Sequence, residues 1–110
     1  MKKKIIEYII QNRISTTEVA DCLGKAGVLP EVLPLNARHY AVGEIQYLYA
    51  IQDSNWTVHE DLDRQMVSDK IVLIDAVDVH DRAIIGDLVS KYILLYCQNR
   101  AIVCTGKMRD

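Results

Sequence analysis

The stretch 70-KIVLIDAV-77 is a nearly continuous apolar run of strand length. Runs of this kind are typical of parallel strands buried on both faces, because crossover connections cover a parallel sheet from each side. From Tyr40 to Ile51 β-formers again dominate, and Ile45, Tyr47, Tyr49 and Ile51 alternate with Glu44, Gln46 and others. That alternation predicts a strand with one face more polar than the other. Gly43, inside the run, marks a bulge or a close backbone approach. Ala101 to Cys104 is a short final strand.

Helical patterns separate these runs. Asp53-Ser54-Asn55 is a turn, and either Asn55 or Thr57 can cap a helix whose stripe is Val58, Leu62 and Met66. Asp81 can cap the next helix, where Ile84, Ile85, Leu88, Val89, Tyr92, Ile93 and Tyr96 make a broad apolar face. The order strand, helix, strand, helix, strand predicts an α/β domain with right-handed crossovers. Upstream, Ile5, Ile6, Ile9 and Ile10 recur at helical spacing. Ser15 and Glu18 then form a capping box, with Ile14 and Val19 as its hydrophobic staple. Val19, Ala20, Cys22 and Leu23 follow as the apolar face. Gly24 or Gly27 can end that helix, and Pro30 opposes its continuation. Residues 31–39 read as an irregular connection.

At 110 residues the chain is expected to be a single domain, 1–110. Half of it is hydrophobic and a quarter charged, an ordinary globular balance. A net charge of −2 argues against a nucleic-acid binder that relies on neutralising phosphates. No apolar stretch is long enough to span a bilayer, so no membrane is expected as a partner. Lys2 to Lys4 and Ile5-Ile6 resemble the start of a signal peptide, but Glu7 interrupts the run and Gln11-Asn12-Arg13 ends it. Cys22, Cys97 and Cys104 form no Cys-x-x-Cys pair and read as small buried residues in a reducing cytoplasm.

The chain has no nucleophile elbow, P-loop, dinucleotide fingerprint or His-Glu-x-x-His motif. His39, His59 and His80 lack metal-ligand spacing and read as surface or structural residues. What remains is Asp87 at the beginning of a helix, and Arg109-Asp110 just after a strand. Ligands of α/β sheets gather beyond the carboxyl ends of parallel strands. Two carboxylates and a guanidinium meeting there suit a hard divalent cation together with an anionic substrate. A surface ion pair is the plainer alternative.

Three sets of residues in order resemble the RraA-like family (regulator of ribonuclease activity A), which includes 4-hydroxy-4-methyl-2-oxoglutarate aldolases. The first is 15-STTEVADCLGKAG-27 with 33-LPLN-36 and 42-VG-43; the second is 55-NWTVHEDLD-63 with 71-IVLIDA-76; the third is 86-GDL-88 with 106-GKMRD-110. The chain departs from the family pattern in having Asp53-Ser54-Asn55 for Gly-Asp-Asn and Thr105 for Asp. It also has 21 residues between Asp87 and Arg109, one more than is common in the aldolases. The extra residue has to be absorbed in the helix or its exit, around Cys97-Gln98-Asn99, if Asp87 and Arg109 are to converge.

The resemblance implies an α/β/β sandwich of the swivelling phosphohistidine-domain type, assembled as trimers or hexamers. The family continues well beyond Arg-Asp, so the chain is expected to be the N-terminal part of a longer protein. The implied activity is cleavage or decarboxylation of short 2-oxo acids through a pyruvate enolate, with a divalent metal (Mg2+ or Mn2+). Asp110 would ligate the metal directly and Asp87 would hold a metal-bound water. Arg109 would bind the carboxylate and keto oxygen, and the N–H groups of Leu88 and Val89 the substrate carboxylate. The alternative on the same scaffold is a non-catalytic regulator that binds a protein.

Overall fold

The apolar run becomes β2 (Ile71–Val77), the middle strand of a three-stranded sheet in the order β1-β2-β4. β1 (Ile45–Ile51) and β4 (Ala101–Cys104) both lie parallel to it. The computed structural model describes residues 1–64 and 66–109. It divides the chain, expected from its length to be one domain, into two units, Met1–Val42 and Gly43–Asp110. The second is a mixed α/β unit built on this small parallel sheet.

The register sets Leu48 beside Ile74 and Ala50 beside Ala76 on one face. Val72 and Ile74 of β2 lie on that face too, level with Ile102 and Cys104 of β4. α3 (Trp56–Arg64) joins β1 to β2 and buries Val58 and Leu62 there, with Met66 packed alongside, as its stripe predicts. Ser54 Oγ accepts the Trp56 N–H at 3.2 Å. Asn55 does something else: its amide donates to the Ile84 carbonyl at 2.8 Å. Cys104 packs against the same core.

The opposite face of the sheet differs from the expectation. Ile45, Tyr47, Tyr49 and Ile51 are all exposed, and the buried residues of β1 are Leu48 and Ala50. β2 is therefore fully buried on one side only, at Val72 and Ile74. β1 is also shorter than the run from Tyr40, beginning two residues after Gly43. A Cβ on Gly43 would lie 3.1 Å from the Asp69 carbonyl, so the close approach read from the sequence is present.

The segment after β2 corrects a second expectation. Ala83–Ile85 is not helical but forms β3, parallel to β5 (Lys107–Met108) in a separate two-stranded sheet. Helix α4 starts only at Asp87, with Gly86 rather than Asp81 at its N-cap. Asp81 instead pairs with Lys107. The physical reason is that Ile84 and Ile85 are β-branched, stiff in helices, and buried as strand residues against the core. α4 (Asp87–Lys91) runs on into a π-helical turn, Tyr92–Tyr96, whose Ile93 is fully buried.

In the N-terminal unit, α1 is Lys2–Gln11 and α2 is Thr16–Cys22. The capping box forms: Ser15 Oγ accepts the Glu18 N–H at 3.2 Å, and the Glu18 carboxylate accepts the Ser15 N–H at 2.8 Å. These bonds from Ser15 hold the Glu18 carboxyl below its usual value. Gly24, left-handed at φ +71°, follows the C-cap Leu23 and ends the helix. Tyr40 belongs to this unit, its hydroxyl 2.9 Å from the Ile14 carbonyl and its ring 4.7 Å beneath the Arg13 guanidinium. Among the described residues no helix is long and apolar enough to cross a membrane.

One glycine sets the path from β4 into β5. A Cβ on Gly106 would stand 2.7 Å from the Ala76 Cβ and 2.9 Å from the Ile84 Cγ1. Gly106→Ala is therefore expected to destabilise the fold by about 1–3 kcal/mol, the usual range for an overpacked core. Thermal unfolding followed by circular dichroism checks this; an unchanged melting temperature would mean that the strands part without strain.

Candidate functional site

The site expected at the end of the chain is assembled by the β3–β5 pair. After Cys104, the Thr105 N–H donates to the Ile74 carbonyl at 3.0 Å, and its hydroxyl accepts the Ala76 N–H at 2.8 Å. The chain then squeezes past at Gly106 and pairs with β3. The Arg109 N–H donates to the Ile85 carbonyl at 3.1 Å. A Cβ on Gly86 would lie 3.3 Å from the Arg109 carbonyl oxygen, 3.4 Å from its Cγ and 3.7 Å from its Nε. The Arg109 side chain thus passes over the glycine that opens α4. A side chain at 86 would press on the Arg109 carbonyl by a few tenths of an ångström and otherwise meet the arginine at van der Waals contact.

Asp87 is the first residue of that helix, one step from Gly86, so Asp87 and Arg109 belong to the same junction. Their side chains have different partners. The Asp87 carboxylate accepts from Lys91 Nζ at 3.1 Å, one helical turn on. This bond and the charge of Lys91, aided by the Leu88 N–H, hold the Asp87 carboxyl below its usual value. Among the described ion pairs none includes Arg109. No side chain caps α4. N–H groups in the first turn of a helix have no intrahelical acceptor, and they carry the positive end of the dipole. Leu88 and Val89 lie in this turn, Leu88 with its side chain exposed.

The spacing between Asp87 and Arg109 is accommodated by the π-helical turn at Tyr92–Tyr96. A π-turn closes i to i+5 and takes up one residue more than an α-turn. Here the Cys97 N–H donates to the Tyr92 carbonyl at 2.9 Å. Gln98 then turns at φ +56°. Buried Asn99 fastens the exit: its Oδ1 accepts the Lys70 N–H at 3.1 Å, and its own N–H donates to the Ile93 carbonyl at 3.2 Å. The helix therefore delivers β4 to its place beside β2.

Asp110, the expected direct metal ligand, lies outside the described residues. Among the described residues no group of three or more His, Cys, Asp or Glu side chains could hold a metal ion. At the junction they offer one carboxylate, Asp87, already paired with Lys91. A helix start, a guanidinium and an ammonium group surround it. By themselves these groups do not fit a divalent cation; they suit an anion.

Sequence reasoning overlooked Lys91 and Asn99. Lys91 was visible as the i+4 partner of Asp87, an arrangement that commonly pairs on a helix. Asn99 had no such signal, because its partners are backbone groups from elements distant in sequence. The expected Asp53-Ser54-Asn55 turn is tied to the loop after β2: the Asp53 carboxylate accepts the His80 N–H at 2.8 Å. His39, His59 and His80 are exposed. Comparison with models of known families, with curated proteins and with solved structures gave no match.

Replacing Lys91 by Met is expected to let the Asp87 carboxyl rise toward its ordinary value, since Lys91 is the main cause of its depression. A depressed carboxyl stabilises the fold above the ordinary carboxylate range, and the contribution fades as pH falls through the depressed value. Carboxyl-carbon NMR titration of Asp87 in both proteins reads the shift directly. An identical titration would assign the depression to the helix start instead.

Proposed function

We propose that the chain is an RraA-like protein whose β3–β5 junction binds the carboxylate of a short 2-oxo acid, in support of retro-aldol cleavage or decarboxylation through a pyruvate enolate. One observation carries this reading: parallel pairing of β5 with β3 lays Arg109 across Gly86, at the uncapped start of α4. The proposed fold is the α/β/β sandwich of the swivelling phosphohistidine-domain type. A parallel sheet whose buried face packs on α3 and the π-turn, beside a second short parallel sheet, is in keeping with it.

In this reading the Arg109 guanidinium meets the substrate carboxylate and keto oxygen with paired N–H donors, a geometry suited to planar anions. The Val89 N–H adds a donor at the helix start, and the Leu88 N–H adds another when it turns from the Asp87 carboxylate to the substrate. As the carbon–carbon bond breaks, negative charge grows on the keto oxygen. A guanidinium already in place stabilises that charge without reorganising. Asp87, held ionised by Lys91, is available as a proton acceptor only weakly, and its expected part is to position water. A divalent ion (Mg2+ or Mn2+), held with Asp110 and Asp87, would supply a Lewis acid at the same oxygen, and this part of the proposal rests on Asp110. A second reading, a non-catalytic regulator that binds a protein, is favoured by the exposed Leu88, Leu95 and Tyr96 on the outer side of the α4 segment.

Pyruvate release from oxaloacetate, with and without magnesium, tests the proposal. Arg109→Ala is expected to lower turnover about 100-fold or more, the usual loss when a charge-stabilising group at the reacting oxygen is removed. Asp110→Ala is expected to abolish the magnesium-dependent part, and Asp87→Asn to reduce it. Equal rates in all the proteins would leave the protein-binding reading.

A further inference from the structure

β3 supplies the backbone acceptor for Arg109, yet it is three residues long and pairs with a single strand. An isolated two-stranded pair is marginal in water, so its position depends on what braces it. The brace comes from the turn between β1 and α3. Carbonyls of successive strand residues point to opposite edges. The Ile85 carbonyl faces β5 and accepts the Arg109 N–H at 3.1 Å. The Ile84 carbonyl leaves by the other edge and accepts the Asn55 amide at 2.8 Å. Ile84 is 1% exposed, so water does not reach that carbonyl unless the strand moves.

The same turn holds the approach to β3. The Asp53 carboxylate accepts the His80 N–H at 2.8 Å, and the Asp53 N–H donates to the Asp78 carbonyl at 3.4 Å. One turn thus grips the chain from Asp78 to Ile84 at three points. The turn is itself fixed. Its Ser54 N–H closes on the Ile51 carbonyl at 3.0 Å, and Asn55 adjoins α3, whose Val58 is fully buried.

We propose that Asn55 is a positioning residue for Arg109, with Asp53 as its support. Its part is indirect and runs through the backbone of β3. Without the amide, a buried acceptor is left bare, and the strand shifts to satisfy it. Arg109, bonded to the next carbonyl along, shifts with the strand and leaves its place over Gly86. A displacement of about 1 Å at an anion-orienting group lowers rates on the order of 100-fold. The consequence for a 2-oxo acid rests on the lyase reading; the placement of Arg109 does not.

Amide hydrogen exchange of the full chain, followed by NMR, tests the placement. Asn55→Ala is expected to speed exchange of the Arg109 N–H about tenfold or more, while the Val72 to Ile74 amides of β2 exchange as in the wild type. Asn55→Asp has the same shape but no donor, and should do the same; it decides if Asn55→Ala does not fold. Asp53→Ala should act in the same direction, and Asp53→Asn, which keeps an acceptor for His80, should restore most of the loss. Oxalate binding by calorimetry tests the consequence. Asn55→Ala should weaken it about tenfold in the wild type and leave it unchanged in Arg109→Ala, because two residues that act as one unit do not add. Unchanged exchange at Arg109, exchange that quickens equally in β2, or losses that add in the double variant overturn the proposal. A wild-type chain that neither binds oxalate nor releases pyruvate overturns the lyase reading instead, and the exchange of Arg109 then decides the placement alone.

Discussion

The β3–β5 junction depends on room for one bare backbone at Gly106. Its α-carbon faces the Ala76 methyl and the Ile84 side chain at distances that leave no space for a further carbon. Because the backbone passes so close, Thr105 can extend the β2–β4 ladder, and two residues later the chain is already aligned with β3. A wider path would move Met108 and Arg109 away from Ile85 and Gly86. Two glycines thus do complementary work: Gly106 lets the backbone pass close to Ala76 and Ile84, and Gly86 lies beneath the arginine that β5 delivers.

The electrostatics of the junction follow from the same arrangement. A helix start is electropositive, and a carboxylate in its first turn is stabilised there. Lys91 adds to this stabilisation and also neutralises Asp87, so the local field is positive on balance. Arg109, brought in over Gly86, makes it more so. An anion entering this corner meets donors already oriented, whereas a cation must compete with an ammonium group for Asp87. Any cation bound here therefore needs additional carboxylate oxygens.

Much of the fold was legible in the sequence, because local signals and burial agree. The Ser15–Glu18 capping box and the Val58–Leu62 stripe form as read, and the run 71–77 forms the parallel strand expected of it, though only one of its faces is fully buried. Where both alternating sets were apolar, the pattern lost its meaning. β1 offers Ile45, Tyr47, Tyr49 and Ile51 against Leu48 and Ala50, and the smaller set is the buried one. α3 approaches this sheet closely, and Ala50 leaves it room. Ile84 and Ile85 misled for a related reason: their spacing continues the helical face beyond Gly86, yet pairing with a strand more than twenty residues later determines their conformation. Arg109 and Asp87 were legible only as parts of short motifs. Their common position depends on backbone approaches at glycines, which periodicity does not encode.

The π-turn links the site to the surface. An α-helical path with the same residue count would either carry Ile93 off the core or deliver β4 one residue out of register, and a one-residue slip turns every side chain to the other face. Widening a single turn keeps Ile93 buried and lets Asn99 bind both the helix end and the start of β2. Tyr92 and Tyr96 of this turn are exposed, and their rings stack with centroids 5.0 Å apart. Leu95 remains exposed beside them. The exposed aromatic strip thus lies on the turn whose width preserves the register of β4. The exposed face of the sheet has no comparable constraint behind it: nothing in the path of β1 requires tyrosine at 47 or 49.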